Sequence, residues 1–225
     1  MRTPSGLLLI VLASAVWLPA PAQAQVEHDF TIARVKYAGG GDWYSDPQSL
    51  PELLRFVRAN TAIDVAPEAE TVELSSEKLF SFPYVYMTGH GNVVLTEREA
   101  QHMRRYLMGG GFLHVDDNYG LDRSFRREIK KVFPDRELVE LPFSHPIYSN
   151  QFEFPNGLPK IHEHDGAPPQ GFAVLDDAGR VMLFYSYESD LGDGWEPEAV
   201  HNDSPQLRSA ALRMGTNILT YAMMR

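Results

Sequence analysis

Along most of the chain, short apolar runs alternate with stretches in which apolar residues return every three or four positions, a pattern that predicts strands followed by amphipathic helices. The run "FTIARVKY", Phe30 to Tyr37, is β-rich and reads as a strand. It opens into the glycine loop "AGGGDWYSDP" and then into "SLPELLRFVRAN". There Ser49 and Glu52 have the spacing of a capping box, and Leu53, Leu54, Phe56 and Val57 share one side. "TVELSS" predicts a second strand. "YVYMTG", Tyr84 to Gly89, predicts a third, continuously apolar and therefore buried on both faces. In "TEREAQHMRRYLM" another capping box, Thr96 with Glu99, precedes Ala100, Met103 and Leu107 at helical spacing. "GFLHV" predicts a strand, "LDRSFRREIKKVF" a helix stopped by Pro134, and "ELVEL" a short strand.

Strands alternating with helices make a mostly parallel sheet covered on both faces, so the expected class is α/β, a three-layer sandwich. The alternation stops after Leu141. From Pro142 to Gln170 the chain carries six prolines and three histidines without a period, and a connection of that length is usually functional or disordered. After this proline-rich insertion, "FAVLDDAGRVMLFYSYE" predicts a late hairpin around Asp177-Ala178-Gly179. A last helix starts near Ser204, with Leu207, Ala211, Met214, Ile218 and Ala222 at helical spacing.

The first residues bear on where such a fold works. Arg2, an apolar run from about Leu7 to Leu18, and Ala22-Gln23-Ala24 as a small-x-small site have the layout of a secretory signal peptide cleaved after Ala24. A retained anchor is the alternative, but the run is well short of the ~20 residues a spanning helix needs. Residues 25–225 then form one periplasmic α/β domain. The chain has no cysteine, which removes thiol nucleophiles and thiolate ligands. A formal charge of −10 and a pI of about 5.2 argue against nucleic acid as a partner. The one basic run, Arg123, Arg126, Arg127, Lys130 and Lys131, shares a helix with Phe125, Ile129 and Val132 and reads as its solvated face.

Polar clusters fall where strands end, and parallel strands bring those ends to one edge, where open α/β sheets bind ligands. Asp117 and His90 are the candidate acid–base catalytic residues. Because adjacent strand residues face opposite ways, Asp117 is expected to face the pocket while Asp116 fixes the loop. Asp42, Trp43, Tyr44, Asp116, Asn118, His145, Asp190 and Trp195 are the candidate ligand-binding residues. Their rings suit stacking on a sugar or another small polar ligand, and their carboxylates accept its hydroxyls. His162 and His164 in "KIHEHDG" are two apart and face one side of an extended segment. They are candidate ligands for a divalent metal (zinc, manganese or iron), with His145 and either His90 or Asp117 completing a mixed nitrogen and oxygen set. "GGGD" lacks the spaced glycines of a dinucleotide site, "DLGDG" lacks the alternating acids of an EF-hand, and no G-x-S-x-G elbow surrounds Ser144, Ser186 or Ser189.

Together "GGDWY", "TGHG", "GGGFLHVDDN", "SHPIY" and "SDLGDGWE" resemble the bacterial domain-of-unknown-function family numbered 4159, across nearly all of the chain after residue 24. The resemblance implies a flavodoxin-like sandwich similar to class I glutamine amidotransferase-like domains, including the trehalose-utilisation type. Those amidotransferases hold a cysteine on the sharp turn after a central strand. The matching turn here is "HVDDN", without a thiol, so glutamine hydrolysis is not implied. Related domains in larger envelope proteins imply a cell-envelope role. Three functions stay open: a domain that binds a small polar or carbohydrate-like ligand, a metal-assisted hydrolase or sugar-modifying enzyme, and a structural partner of envelope proteins.

Overall fold

Seven strands build one mixed sheet in the computed structural model, which describes His28 and residues 30–224. The segment read as a signal peptide, residues 1–24, lies outside the described residues. The chain runs β1 (Ile32–Lys36), α1 (Ser49–Asn60), β2 (Glu70–Glu73), β3 (Tyr84–Met87), α2 (Glu97–Met108), β4 (Phe112–Asp116), α3 (Asp122–Val132) and β5 (Val139–Glu140). It continues through β6 (Gln170–Leu175), β7 (Val181–Tyr187), α4 (Leu191–Trp195), α5 (Glu198–His201) and α6 (Pro205–Met223). The sheet order is β2-β1-β3-β4-β7-β6-β5. Pairs from β2 through β7 are parallel, whereas β6 runs antiparallel to both β7 and β5. The fold is thus the expected α/β three-layer sandwich, largely parallel, with a late β6–β7 hairpin.

Every residue of β3 and β4 is buried, as their unbroken apolar runs require of strands covered on both sides. On one face Leu113 and Val115 join Met103, Phe125 and Ile129 of α2 and α3; on the other Phe112 joins Leu53 and Ile218 of α1 and α6. The Thr96–Glu99 capping box forms as its spacing predicts. The Ser49–Glu52 box does not. Gln48 holds the N-cap position without a side-chain cap, and the amides of Gln48 and Ser49 are taken by Glu196 Oε1 at 2.8 and 3.0 Å. A tertiary carboxylate replaces the local one, and Glu52 turns instead to Arg55 and Arg208.

The basic run of α3 is its solvated face, with Arg123, Arg127, Lys130 and Lys131 exposed and Arg126 half-buried. Arg126 lies over the Phe172 and Tyr187 rings at 4.7 and 5.4 Å, and Arg127 and Lys131 each reach buried Glu128 at 2.6 Å. Among the described residues no helix is long and apolar enough to cross a membrane. The proline-rich segment is ordered by α6. Asn217 Oδ1 accepts from the amides of Gln151 and Phe152, its Nδ2 donates to the Phe152 carbonyl, and Leu158 and Ile161 enter the core. Ser189 then docks the segment's end, accepting from Ile161 N at 3.0 Å and donating to the Pro159 carbonyl at 2.6 Å. This strap delivers His162 and His164 to the carboxyl edge of the sheet.

Candidate metal centre

Four segments distant in sequence converge at that edge: the loop after β1 with Asp46, the strap with His162 and His164, the start of α4 with Asp190 and Asp193, and the end of α5 with its link to α6, carrying His201 and Asp203. His162 is central. Its Nδ1 lies 2.7 Å from Asp190 Oδ2 and 3.2 Å from Asp193 Oδ2, and its Nε2 lies 3.0 Å from Asp203 Oδ1. His164 Nε2 shares the same Asp190 oxygen at 3.1 Å. His201 Nδ1 stands 3.5 Å from Asp193 Oδ2. His162, Asp193 and His201 each present one ligand atom, all within 4.8 Å of one another.

Backbone strain gathers here. Asp46, Tyr119, Glu188, Asp190 and Asn202 are the non-glycine residues with positive φ among those described, and every one lies in a segment bordering this cluster. Such conformations persist only where the surroundings enforce them, and they concentrate at functional sites. Tyr119, at φ 61, is 52% exposed, and its ring meets the His164 ring edge-on at 5.2 Å.

The electrostatics are those of crowded acids around imidazoles. Hydrogen bonds that the ring donates to Asp190 and then to Asp193 raise His162 to about 11. Asp190 also raises His164, against the opposing effect of burial. Burial alone would raise Asp190, but His162 and His164 outweigh it and hold the carboxyl below its usual range. Burial and then repulsion from Asp193 push Asp46 well above the carboxylate range. Burial, with Asp190 next, lifts Asp116 to about 7, and burial, with Asp122 next, lifts Asp117 to about 6. Four buried polar atoms of the cluster, His164 Nδ1, Asp190 Oδ1, Asp193 Oδ1 and His201 Nε2, have no hydrogen-bond partner. Buried polar groups are ordinarily paired, so a run of orphans in one place marks a site shaped for something else.

Of the cluster, His162, His164, Asp190 and Asp193 line a cavity of about 280 Å³, together with His90, Asn118, Tyr119 and Glu163. Larger space exists elsewhere, about 650 Å³ beside Phe152 and Arg213, but histidine and aspartate are missing from its walls. Chemistry rather than size singles out the edge.

The sequence-derived candidates divide accordingly. His90 reaches the rim, half exposed, with its ring 3.0 Å from Asp42 Oδ2; hydrogen bonds from His90 depress Asp42 against the effect of burial. Asn118 donates to Asp46 Oδ2 at 2.8 Å. Asp116 and Asp117 do face opposite ways: Asp116 accepts from the amides of Leu191 and Gly192, while Asp117 accepts from Leu121 N at 3.3 Å on the α3 side. Asp117 is 2% exposed and lies outside the cavity lining.

Four candidates lie away from the cluster. Trp43 and Tyr44 line a separate hollow with Arg34 and Pro47. Trp195 is fully buried, its Nε1 donating to the Ala211 carbonyl at 2.9 Å, because the polar-looking "DLGDGW" coils into α4 and turns the indole inward. His145 packs on Tyr221 in the last turns of α6. At 1.5 Å per residue, that is roughly 24 Å along the helix from Pro205, beside which the cluster sits. Of the two candidate metal ligands, His162 falls in the group whose atoms could hold an ion, together with Asp193 and His201, and His164 stands alongside, sharing Asp190. Asp46, His201 and Asp203 escaped the sequence reading. "HND" just before the Ser204 cap was the available signal, two potential ligands at a helix entrance.

No curated protein matches the chain. Residues 31–223 match the domain of unknown function DUF4159, and because that match spans most of the sequence, the chain belongs to the DUF4159 family.

Proposed function

We propose that the carboxyl edge is a divalent-metal centre of an exported enzyme that hydrolyses or otherwise modifies a small, hydroxyl-rich, non-anionic substrate. The observation that carries this reading is the triad of His162, Asp193 and His201, with ligand atoms within 4.8 Å of one another. Two imidazoles and a carboxylate suit zinc, manganese or iron, and a three-residue set leaves coordination positions for substrate. The fit is supported by the orphaned atoms of Asp193 and His201, which a cation would satisfy. Whichever His162 nitrogen meets the ion, a carboxylate orients the ring through the other: Asp190 at Nδ1 or Asp203 at Nε2.

A divalent ion held there supplies Lewis acidity toward a substrate oxygen or a water. His164 is the proton carrier: it lines the cavity, Asp190 fixes its ring, and its Nδ1 has no protein partner. Neither lysine nor arginine lines the cavity, while Glu163, Asp190 and Asp193 do. Phosphorylated or carboxylated substrates would meet that negative surface unpaired, whereas hydroxyls donate to it. The exposed Tyr119 ring offers an apolar face for stacking. The same reading takes the N-terminal segment as a periplasmic export signal and the sheet as that of a class I glutamine amidotransferase-like domain in which acids stand where a thiol would.

Metal analysis of protein purified without chelator tests the proposal. One zinc, manganese or iron per chain, or a manganese- or zinc-dependent rise in melting temperature that His162→Ala and His201→Ala abolish, supports it. Absence of both leaves the cavity as a plain polar ligand pocket and refutes the metal centre.

A further inference from the structure

Beneath the cavity floor a file of buried polar side chains crosses three strands. Tyr84 Oη lies 2.8 Å from His114 Nδ1, His114 Nε2 lies 2.9 Å from Ser186 Oγ, and Ser186 Oγ donates to Asp116 Oδ1 at 2.5 Å. Strand register builds the file: β4 lies between β3 and β7, with Tyr84 opposite Phe112 and Asp116 opposite Ser186. All four residues are fully buried. Burial keeps the His114 ring neutral, so it carries one ring proton. With Asp116 ionised, the file runs one way. Ser186 must give its single proton to the carboxylate, His114 must then donate from Nε2, and Tyr84 donates to Nδ1.

The far end of the file is what separates it from ordinary core satisfaction. Asp116 Oδ2 accepts from Gly192 N at 2.6 Å, and Oδ1 accepts from Leu191 N at 3.3 Å. These two amides lie between Asp190 and Asp193. The turn they open has no side-chain cap of its own, and it begins with Asp190 at φ 61 and ψ 47, a conformation that needs outside enforcement. Asp116 supplies the missing cap through space. We propose that Tyr84, His114, Ser186 and Asp116 form a positioning device that holds the Asp190–Asp193 turn, and with it the ligand geometry of the edge. The consequence for metal affinity rests on the metal reading above; the hold on the turn does not.

Ser186→Ala breaks the file at its middle, Tyr84→Phe removes only its outermost hydroxyl, and Thr216→Val deletes an equally buried hydroxyl in α6 that bonds only its own helix. Amide hydrogen exchange on the metal-free proteins reads the turn directly. Ser186→Ala should speed exchange at Leu191 and Gly192, Tyr84→Phe should do so more weakly, and Thr216→Val should leave both amides as in the wild type. Calorimetric titration with zinc or manganese should show affinity falling roughly tenfold or more in Ser186→Ala and unchanged in Thr216→Val. Unchanged protection at both amides in Ser186→Ala overturns the proposal. Faster exchange with wild-type metal affinity overturns the link to the ligands. Faster exchange in a protein whose wild type binds no metal upholds the positioning device and removes the metal centre instead. Should Ser186→Ala fail to fold, Tyr84→Phe carries the same comparisons.

Discussion

Asp190 Oδ2 stands 2.7 Å from His162 Nδ1, joining a residue held in left-handed conformation at the head of α4 to one delivered by the strap. The contact fixes the central ring of the candidate ligand set. Carboxylates that orient a ligating imidazole from behind influence affinity nearly as much as the ligands do. Asp190→Asn is therefore expected to weaken zinc or manganese binding roughly 10- to 100-fold while the fold survives. His145→Ala, remote from the cluster, should leave affinity unchanged. Calorimetric titration of both variants checks the pair, and equal losses in the two would mean the ligands lie elsewhere.

Stability of the metal-free protein should fall as the solution turns alkaline. Asp116 and Asp117 are raised from 3.8 to about 7 and about 6, so the folded state holds their protons more tightly than the unfolded chain does. A raised folded-state pKa gives stability that is full below the unfolded value and lost as pH rises through the folded one. The loss from these two groups therefore spans about pH 4 to 7, with Asp46 acting in the same direction. His162, raised from 6.5 to about 11, continues the decline above 6.5, while Asp42 and Asp190, both lowered, lose their contributions below 3.8. Urea denaturation at about pH 5 and about pH 8 measures the difference, which Asp117→Asn should reduce. Metal affinity should move oppositely, rising with pH as His162 sheds its proton.

Glu196 caps α1 from across the molecule through two charge-assisted hydrogen bonds to the amides of Gln48 and Ser49. Glu196→Ala removes both acceptors at a carboxylate that is 2% exposed. A loss of about 2 kcal/mol is expected from the cap and the stranded amides. Glu52→Ala, the local partner that capping-box spacing would select, should cost less. Chemical denaturation of the two variants ranks them, and the reverse order would show that the Glu52 bridges to Arg55 and Arg208 outweigh the tertiary cap.

These contrasts mark what can be read from a single chain. Thr96 and Glu99 were legible because both partners lie within one turn, as were the strands whose apolar runs declare burial on two faces. The Ser49 box failed because a residue almost 150 positions away competes for the same amides, and spacing carries no trace of that. At the edge, His90, His162, His164 and Asp190 stood out beside strand ends or in a histidine pair, whereas Asp117, picked out by the same position at a strand end, faces α3 instead. Asp46, before a proline, and His201 with Asp203, before a serine cap, have the local look of ordinary turn residues; only the convergence of four segments gives them a shared role. His145 illustrates the converse. Its proline-rich context matched that of His162, yet the strap spans the length of α6 between them.

The strap's anchorage decides whether His162 stays in place. Two residues earlier, Lys160 Nζ donates to Glu188 Oε2 at 2.5 Å and to the Ala167 carbonyl at 2.9 Å, and Glu188 is 2% exposed with φ 56. Glu188 is the buried member of this pair and Lys160 is half-buried, so removing Lys160 leaves a buried charge without compensation, the costlier of the two ways to lose the pair. Lys160→Met should therefore destabilise by about 3 kcal/mol, and adding Glu188→Gln should recover much of that by removing the stranded charge. If the pair also locates the strap, the double variant will be nearly as stable as the wild type yet bind zinc or manganese more weakly, because two neutral side chains no longer draw the segment onto the end of β7. Denaturation and titration of the single and double variants separate these effects. Recovery of stability and affinity together would assign Lys160 to charge balance alone and leave the Ser189 contacts with Pro159 and Ile161 as the anchor of His162.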